Sequence, residues 1–170
     1  MMAEQSLTGG RLAVNAAFLK DIKDDNRDLK ILFDRIDVLM RTEQAAAHHW
    51  PELLQLWADL RDQLALHFGL EEAYGYFDLV DDAHASLNSV ALSLKSQHTG
   101  LFEAMRHLVE TAEKASVGEP SVEGAIPEVT TAQEKVMHRF EAFLNEFKAH
   151  EESELKLILD ALDEDIGTVD

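Results

Sequence analysis

Four long stretches of this chain carry apolar residues at intervals of three, four and seven, the spacing of an amphipathic helix. Each stretch is long enough for several helical turns. They cover about residues 11–41, 51–79, 83–115 and 130–165. Four such helices joined by short connections predict an all-α, up-down-up-down four-helix bundle.

Residues that favour turns and helix caps separate the four stretches. The connections are residues 42–50, which precede Pro51, the pair Asp81 and Asp82, and the Gly- and Pro-containing segment 117–127. Thr130 or Thr131 is suited to cap the last helix. We expect one bundle domain over residues 11–165, a flexible N-terminal tail over 1–10 and a C-terminal tail over 166–170.

The composition excludes several classes of function. Asp and Glu outnumber Lys and Arg by 33 to 15, which gives a net charge of -18 and disfavours binding to nucleic acid or to anionic membranes. The chain has no Cys, so thiolate metal sites and cysteine nucleophiles are excluded. Neither a signal peptide nor an apolar run of about 18 residues is evident. These features predict a soluble, cytoplasmic protein.

The apolar stripe of each predicted helix is interrupted by polar residues that could serve as metal ligands. They are Asn26 in the first helix, His67 and Glu71 in the second, His98 in the third, and His150 and Glu154 in the fourth. A polar group that faces a core is costly unless a partner satisfies it. Each helix is therefore expected to direct a potential ligand inward.

The positions of these residues along the helices predict that they share one layer. In an antiparallel pair of helices, residues at equal height lie symmetrically about the connection. The points midway between Asn26 and His67, between His67 and His98, and between His98 and His150 fall in the three predicted connections. The histidines could simply be hydrogen-bonded core residues, but so many in one layer would exhaust the available protein partners. A bound metal satisfies them better.

Imidazole nitrogens together with carboxylate oxygens indicate the kind of metal. They favour iron, manganese or zinc over calcium or magnesium. The order of the donors also matters, because ferritin-like di-iron bundles use Glu-x-x-His, a spacing that no His of this chain follows.

The sequence resembles the hemerythrin-like, or HHE cation-binding, family over roughly residues 15–165. The segments that carry the resemblance are LALHFGLEEAYGYF (64–77), SQHTGLFEAMRHL (96–108) and FKAHEESEL (147–155). The resemblance implies a four-helix bundle with a carboxylate-bridged di-iron centre. It also implies terminal ligand roles for His67, His98 and His150, and bridging roles for Glu71 and Glu154.

The chain departs from the family pattern in its first helix. Asn26 stands where the family has a histidine, and a neutral amide oxygen is a poor ligand for a transition metal. Asn26 is therefore predicted to be a weak ligand or to hydrogen-bond a ligand from outside. Tyr74, three residues after Glu71, is predicted to be a core residue whose hydroxyl could reach a ligand. A full pair of metals, an unequal pair and a single metal all remain open.

The leading functional hypothesis is a non-haem, most simply di-iron, protein that binds or senses dioxygen or a related small redox ligand. An oxidoreductase that handles peroxide or nitric oxide is the first alternative, although the sequence shows no substrate pocket and favours a non-enzymatic role. A structural or regulatory bundle that metal merely stabilises is the second. Homodimers are compatible with this architecture, but no particular face of the bundle is indicated.

Overall fold

The computed structural model describes residues 16–73, 85–116 and 128–167 and folds them into five α-helices. The helices are α1 (Ala16–Met40), α2 (Glu43–His48), α3 (Trp50–Ala73), α4 (Ala85–Ala115) and α5 (Thr131–Gly167). The four long helices form a helical bundle, so the predicted fold class is confirmed. The predicted N-terminal tail, residues 1–10, lies outside the described residues.

Neighbouring long helices run in opposite directions, with α3 packed between α1 and α4, and α4 packed against α5. Trp50 at the start of α3 donates a hydrogen bond from Nε1 to Ser116 Oγ, just beyond the end of α4, at 2.9 Å. Arg35 in the second half of α1 bonds Glu52 in the first turn of α3 at 3.1 Å. These contacts join the end of one helix to the start of its neighbour, as an up-down arrangement requires.

The connection predicted at 42–50 is not the continuous break that we expected, because it contains the six-residue helix α2. Three consecutive alanines, the strongest helix formers, lie in this segment. Thr42 caps the helix by accepting the N–H of Ala45 on its hydroxyl at 3.1 Å. Pro51 lies in the first turn of α3, as predicted, where its missing N–H costs nothing.

Helix α5 begins with a capping box. Thr130 Oγ1 accepts the backbone N–H of Gln133, and the Gln133 side chain accepts the N–H of Thr130 in return. Arg139 near the start of α5 donates to Thr111 near the end of α4, so these helices are also antiparallel. The helix continues to Gly167, which is two residues beyond the predicted domain boundary at residue 165.

Two apolar clusters lie on either side of a polar layer. The larger cluster draws residues from all the helices and includes Trp57, Leu60, Met105 and Phe140, each at most 3% exposed. Burying one such side chain contributes roughly 1.5–3 kcal/mol. The smaller cluster comprises Leu87, Ala91, Leu94 and Leu157. The buried polar residues lie between Leu101 and Phe147 on one side and Leu94 and Leu157 on the other.

Within the described ranges, none of the helices combines the length and the apolar character that crossing a membrane would require.

Candidate metal centre

The buried polar residues in the described part of the bundle gather in a single layer. They are Asp25, His67, Glu71, His98, His150 and Glu154, each at most 8% exposed. All five residues that the sequence predicted as ligands are in this group. The structure brings them together in two overlapping sets of potential ligands, one of which also includes Glu151.

The first set is fully buried and comprises Glu71, His98, His150 and Glu154. One potential ligand atom from each residue lies within 4.8 Å of those of the other three. His98 Nε2 is 3.3 Å from Glu154 Oε1 and 3.4 Å from Glu71 Oε2. His150 Nε2 is 3.0 Å from the same Glu154 oxygen. Two imidazoles and two carboxylates from three helices thus converge on one point.

The second set comprises His67, Glu71 and Glu151, again with ligand atoms within 4.8 Å of one another. His67 Nε2 lies 3.1 Å from Glu71 Oε1 and 3.0 Å from Glu151 Oε1. Glu71 belongs to both sets, and its two oxygens face different histidines. This is the arrangement expected of a carboxylate placed between two cations.

Each of the three imidazoles has an oxygen partner at Nδ1, which leaves Nε2 facing the centre. The partners are Asp25 for His67 at 2.7 Å, Glu72 for His98 at 3.0 Å, and Gln97 for His150 at 3.1 Å. A metal-binding histidine typically donates its second ring N–H to such an oxygen, which fixes the tautomer and the ring orientation. The structure therefore holds all three rings in the orientation that a metal ligand needs.

Two buried atoms at the centre of the layer make no hydrogen bond within the described part of the chain. They are Glu71 Oε2 and His150 Nε2. The His150 nitrogen lies 3.0 Å from Glu154 Oε1, so its nearest neighbour is the carboxylate that would share a metal with it. Unsatisfied buried polar atoms are costly, whereas a cation would accept electron pairs from both. The donor set thus fits a transition metal.

The ionisable groups of the layer perturb one another strongly. Burial by itself lowers the pKa of His67, but hydrogen bonds with Asp25 and Glu151 and the charge of Glu71 raise it to about 10. Burial raises the pKa of Glu71 to about 9, because the opposing effect of His67 is partly cancelled by the charges of Glu154 and Glu151. Without metal, His67 and Glu71 are therefore both protonated at neutral pH, and a bound metal would displace these protons.

Glu154 shows the opposite behaviour. Burial raises its pKa, but the neighbouring imidazoles of His150 and His98 outweigh this effect and bring the pKa down to about 2. Glu154 is consequently an ionised carboxylate at the centre of the first set.

The prediction that Asn26 is the inward polar residue of the first helix was wrong. Asn26 is exposed, and the adjacent Asp25 points inward to His67 and accepts a hydrogen bond from Gln63 at 2.7 Å. Asn26 nevertheless lines the groove beside His67, so its predicted role outside the ligand set stays a prediction. Tyr74 lies outside the described residues.

Aromatic rings cover the layer on the side of the larger apolar cluster. The ring of Phe68 stacks on His98, with centroids 4.3 Å apart and an angle of 13°. Phe147 lies 5.9 Å from His67, and Phe68 lies 6.0 Å from His150. These rings restrict the imidazoles to one orientation and exclude water from that side.

Two grooves approach the layer from outside. One, of about 380 Å³, reaches the second set and is lined by Asp25, Asn26, His67, Leu70, Glu71, Glu151, Glu152, Glu154, Leu155 and Ile158. The other, of about 510 Å³, passes His150 between α4 and α5. The first groove therefore borders the buried side chains of His67 and Glu71.

Sequence reasoning missed four residues of the site. They are Asp25, Glu72, Gln97 and Glu151, none of which the sequence analysis singled out. Asp25 lies four residues before the buried Leu29, and Glu151 lies four residues after Phe147, but this spacing does not distinguish them from the neighbouring polar residues. Glu72 and Gln97 each directly adjoin a predicted ligand, where spacing alone carries no signal.

Comparison with known families supports the same interpretation. The model of the hemerythrin HHE cation-binding domain matches residues 17–162, which is most of the chain. The chain belongs to the hemerythrin family. Comparison with curated proteins and with solved structures finds no significant match. The family description agrees with the two overlapping sets of His and Glu ligands that this hemerythrin domain contains.

Proposed function

We propose that this hemerythrin domain binds two iron ions and uses them to bind or sense dioxygen or a related small redox ligand. The observation that carries the proposal is the pair of ligand sets that share Glu71. Manganese or zinc could occupy the same donors, but imidazole and carboxylate together suit iron equally well. The family match supports cation binding at this layer.

The residues of the layer have different parts in this proposal. His98, His150 and Glu154 would hold one ion, and His67 would hold the other, with Glu71 between them. The oxygens at Nδ1 would accept the N–H of each imidazole and so leave the Nε2 lone pair for the metal. A ferrous pair supplies the electrons with which a small oxidising ligand can be bound.

The groove beside His67 favours a small ligand. Its walls include the apolar side chains of Leu70, Leu155 and Ile158, and its inner end is formed by His67 and Glu71. A diatomic molecule or peroxide can enter such a space from solvent. The ring of Phe68 on the opposite side of the layer keeps bulk water away from the faces of His98 and His150 that it covers.

The proposal is tested by anaerobic loading with ferrous iron, followed by elemental analysis and an optical spectrum before and after exposure to air. We expect about two iron ions per chain and new near-ultraviolet or visible absorption after exposure. The variant His138→Ala, which removes an exposed histidine, serves as the control and should behave like the wild type. Protein that retains no stoichiometric iron would end the proposal.

The same groove favours a second candidate, an oxidoreductase that consumes peroxide or nitric oxide. Access from solvent to His67 and Glu71 would allow substrate to enter and product to leave. Repeated turnover of peroxide by the iron-loaded protein would identify an enzyme, whereas a carrier or sensor should react once per site.

A further inference from the structure

Among the described side chains of the first helix, none belongs to the second ligand set. Asn26 is exposed, and the inward residue Asp25 is engaged by His67 Nδ1 at 2.7 Å and by the Gln63 amide. Helix α1 therefore contributes Asp25, which holds His67 at Nδ1, the ring nitrogen that faces away from the centre. Without another donor, the second ion would be held only by His67 and the shared Glu71.

Glu151 occupies the open side of this set. Its Oε1 lies 3.0 Å from His67 Nε2, opposite the nitrogen that Asp25 holds. It extends from α5, one residue after His150, and its side chain is 36% exposed at the groove. We propose that Glu151 is a terminal ligand of the second metal ion and takes the place that an imidazole from the first helix would fill. This inference rests on the proposed metal pair.

A simpler role for Glu151 would be to accept a hydrogen bond from a protonated His67. That role accounts less well for the geometry, because Glu71 Oε1 lies 3.1 Å from the same nitrogen. Two carboxyl groups converge on one Nε2, and its single N–H can be donated to only one of them. A cation among the three atoms would satisfy the nitrogen and both carboxylates at once.

The assignment makes the two metal sites chemically unequal. The first offers two imidazoles and two carboxylates, all buried, whereas the second offers one imidazole and two carboxylates, one of them partly exposed. Oxygen ligands favour harder cations, so the second site should tolerate Mn²⁺ better than softer ions such as Cu⁺. It should also bind more weakly and exchange its ion faster.

The test measures binding of Mn²⁺ to the wild type, Glu151→Ala and Glu152→Ala by equilibrium dialysis and electron paramagnetic resonance. Glu152 is the matched control because it is exposed, lines the same groove and carries the same charge, but belongs to neither ligand set. Alanine is the strongest helix former, so neither change should disturb α5.

We expect two Mn²⁺ ions in the wild type and in Glu152→Ala, with the spectrum of an interacting pair. Glu151→Ala should keep the first ion and show an isolated Mn²⁺ signal. Its affinity for the second ion should fall by more than the about 10–100-fold that loss of an outer hydrogen-bonding partner costs.

Three outcomes would overturn the assignment. If Glu151→Ala loses affinity for the second ion only within that range or below it, Glu151 is merely a hydrogen-bonding partner of His67. If Glu152→Ala loses as much affinity, the effect is one of general charge. Loss of both ions from Glu151→Ala would show that its role is not specific to the second site. A wild type that binds fewer than two ions would instead refute the proposed pair itself.

Discussion

The two ligand sets share Glu71 but differ in their surroundings. The first draws four buried residues from α3, α4 and α5 and lies against the stacked ring of Phe68. The second draws three residues from α3 and α5, and one of them, Glu151, is partly exposed at a groove. Burial favours tight binding by the first set, whereas access from solvent favours reaction with small molecules at the second. The comparison implies that the first set fills before the second.

The largest expected effect is that of His98→Ala. Its Nε2 lies within 3.4 Å of both carboxylates of the first set, so its loss leaves Glu71 and Glu154 facing each other with one imidazole. Bound metal after desalting should fall to well below one ion per chain, as measured by elemental analysis. The control is again His138→Ala. Unchanged metal content in His98→Ala would show that the first set is not the tighter one.

Removal of metal should lower the melting temperature. A ligand present at about 100 times its dissociation constant stabilises the folded state by about 2.7 kcal/mol. For a chain of this length that corresponds to roughly 5–10 °C. Calorimetry with and without a chelator measures the difference, and one equivalent of metal should restore most of it. If the melting temperature rises only with the second equivalent of metal, the first set is not the one that contributes most of the stabilisation.

The stabilisation by metal should increase as the pH rises from 6 to 9. The pKa of His67 is raised from 6.5 to about 10, so its contribution to the stability of the metal-free protein is complete below pH 6.5 and is lost as pH rises towards 10. Glu71, with its pKa raised to about 9, acts in the same direction. Metal requires both groups deprotonated, so its affinity increases over this range.

Melting temperatures of the metal-loaded and metal-free protein at each pH check this expectation. The difference between them should widen by a few degrees towards pH 9. A constant difference would mean that metal displaces no protons from His67 or Glu71. In His98→Ala, with little metal bound, the difference should be small at every pH.

Asp25→Asn should weaken the second set alone. The substitution keeps the shape of the side chain but removes the charge beside His67 Nδ1. Loss of such an outer partner typically costs about 10–100-fold in metal affinity. Titration with Mn²⁺ should show weaker binding of the second ion and unchanged binding of the first. Asp28→Asn, at an exposed position of the same helix, is the control.

The smallest effect is expected from Asn26→His, which restores the family pattern in the first helix. Because Asn26 is exposed at the rim of the groove, an imidazole there must turn inward before it can reach the second ion. The affinity for the second metal ion should therefore rise by less than about tenfold, or about 1.4 kcal/mol. A larger gain would mean that α1 can present a ligand directly.

The sequence was sufficient to predict the four long helices and which histidines meet. Apolar spacing indicates the buried face of each helix, and symmetry about the connections indicates height, so His67, His98 and His150 were predicted to share a layer. Spacing could not choose between Asp25 and Asn26, because adjacent positions differ by only about 100° around a helix and both border the apolar stripe. Leu29 and Ile36 are deeply buried, and Asp25 lies on the same face of α1, so Asp25 points inward.

Glu151 could not be predicted for a different reason. Acidic residues are abundant in this chain, with 33 in total, so one more carboxylate beside a stripe carries little information. Its side chain extends to the layer from the edge of α5, and this is visible only once α5 is packed against its neighbours.

The short helix α2 was missed because helix-breaking residues flank a run of alanines that forms a turn of its own.

The positions of the two tryptophans have a practical consequence. Both lie in the first half of α3, where Trp50 and Trp57 form an edge-to-face pair with centroids 5.3 Å apart. Trp57 precedes His67 by ten residues, or about 15 Å along the helix axis. Intrinsic fluorescence should therefore follow the melting of the apolar end of the bundle and respond little to local rearrangement around the ions, which gives the experimenter a folding signal separate from the optical bands of the metals.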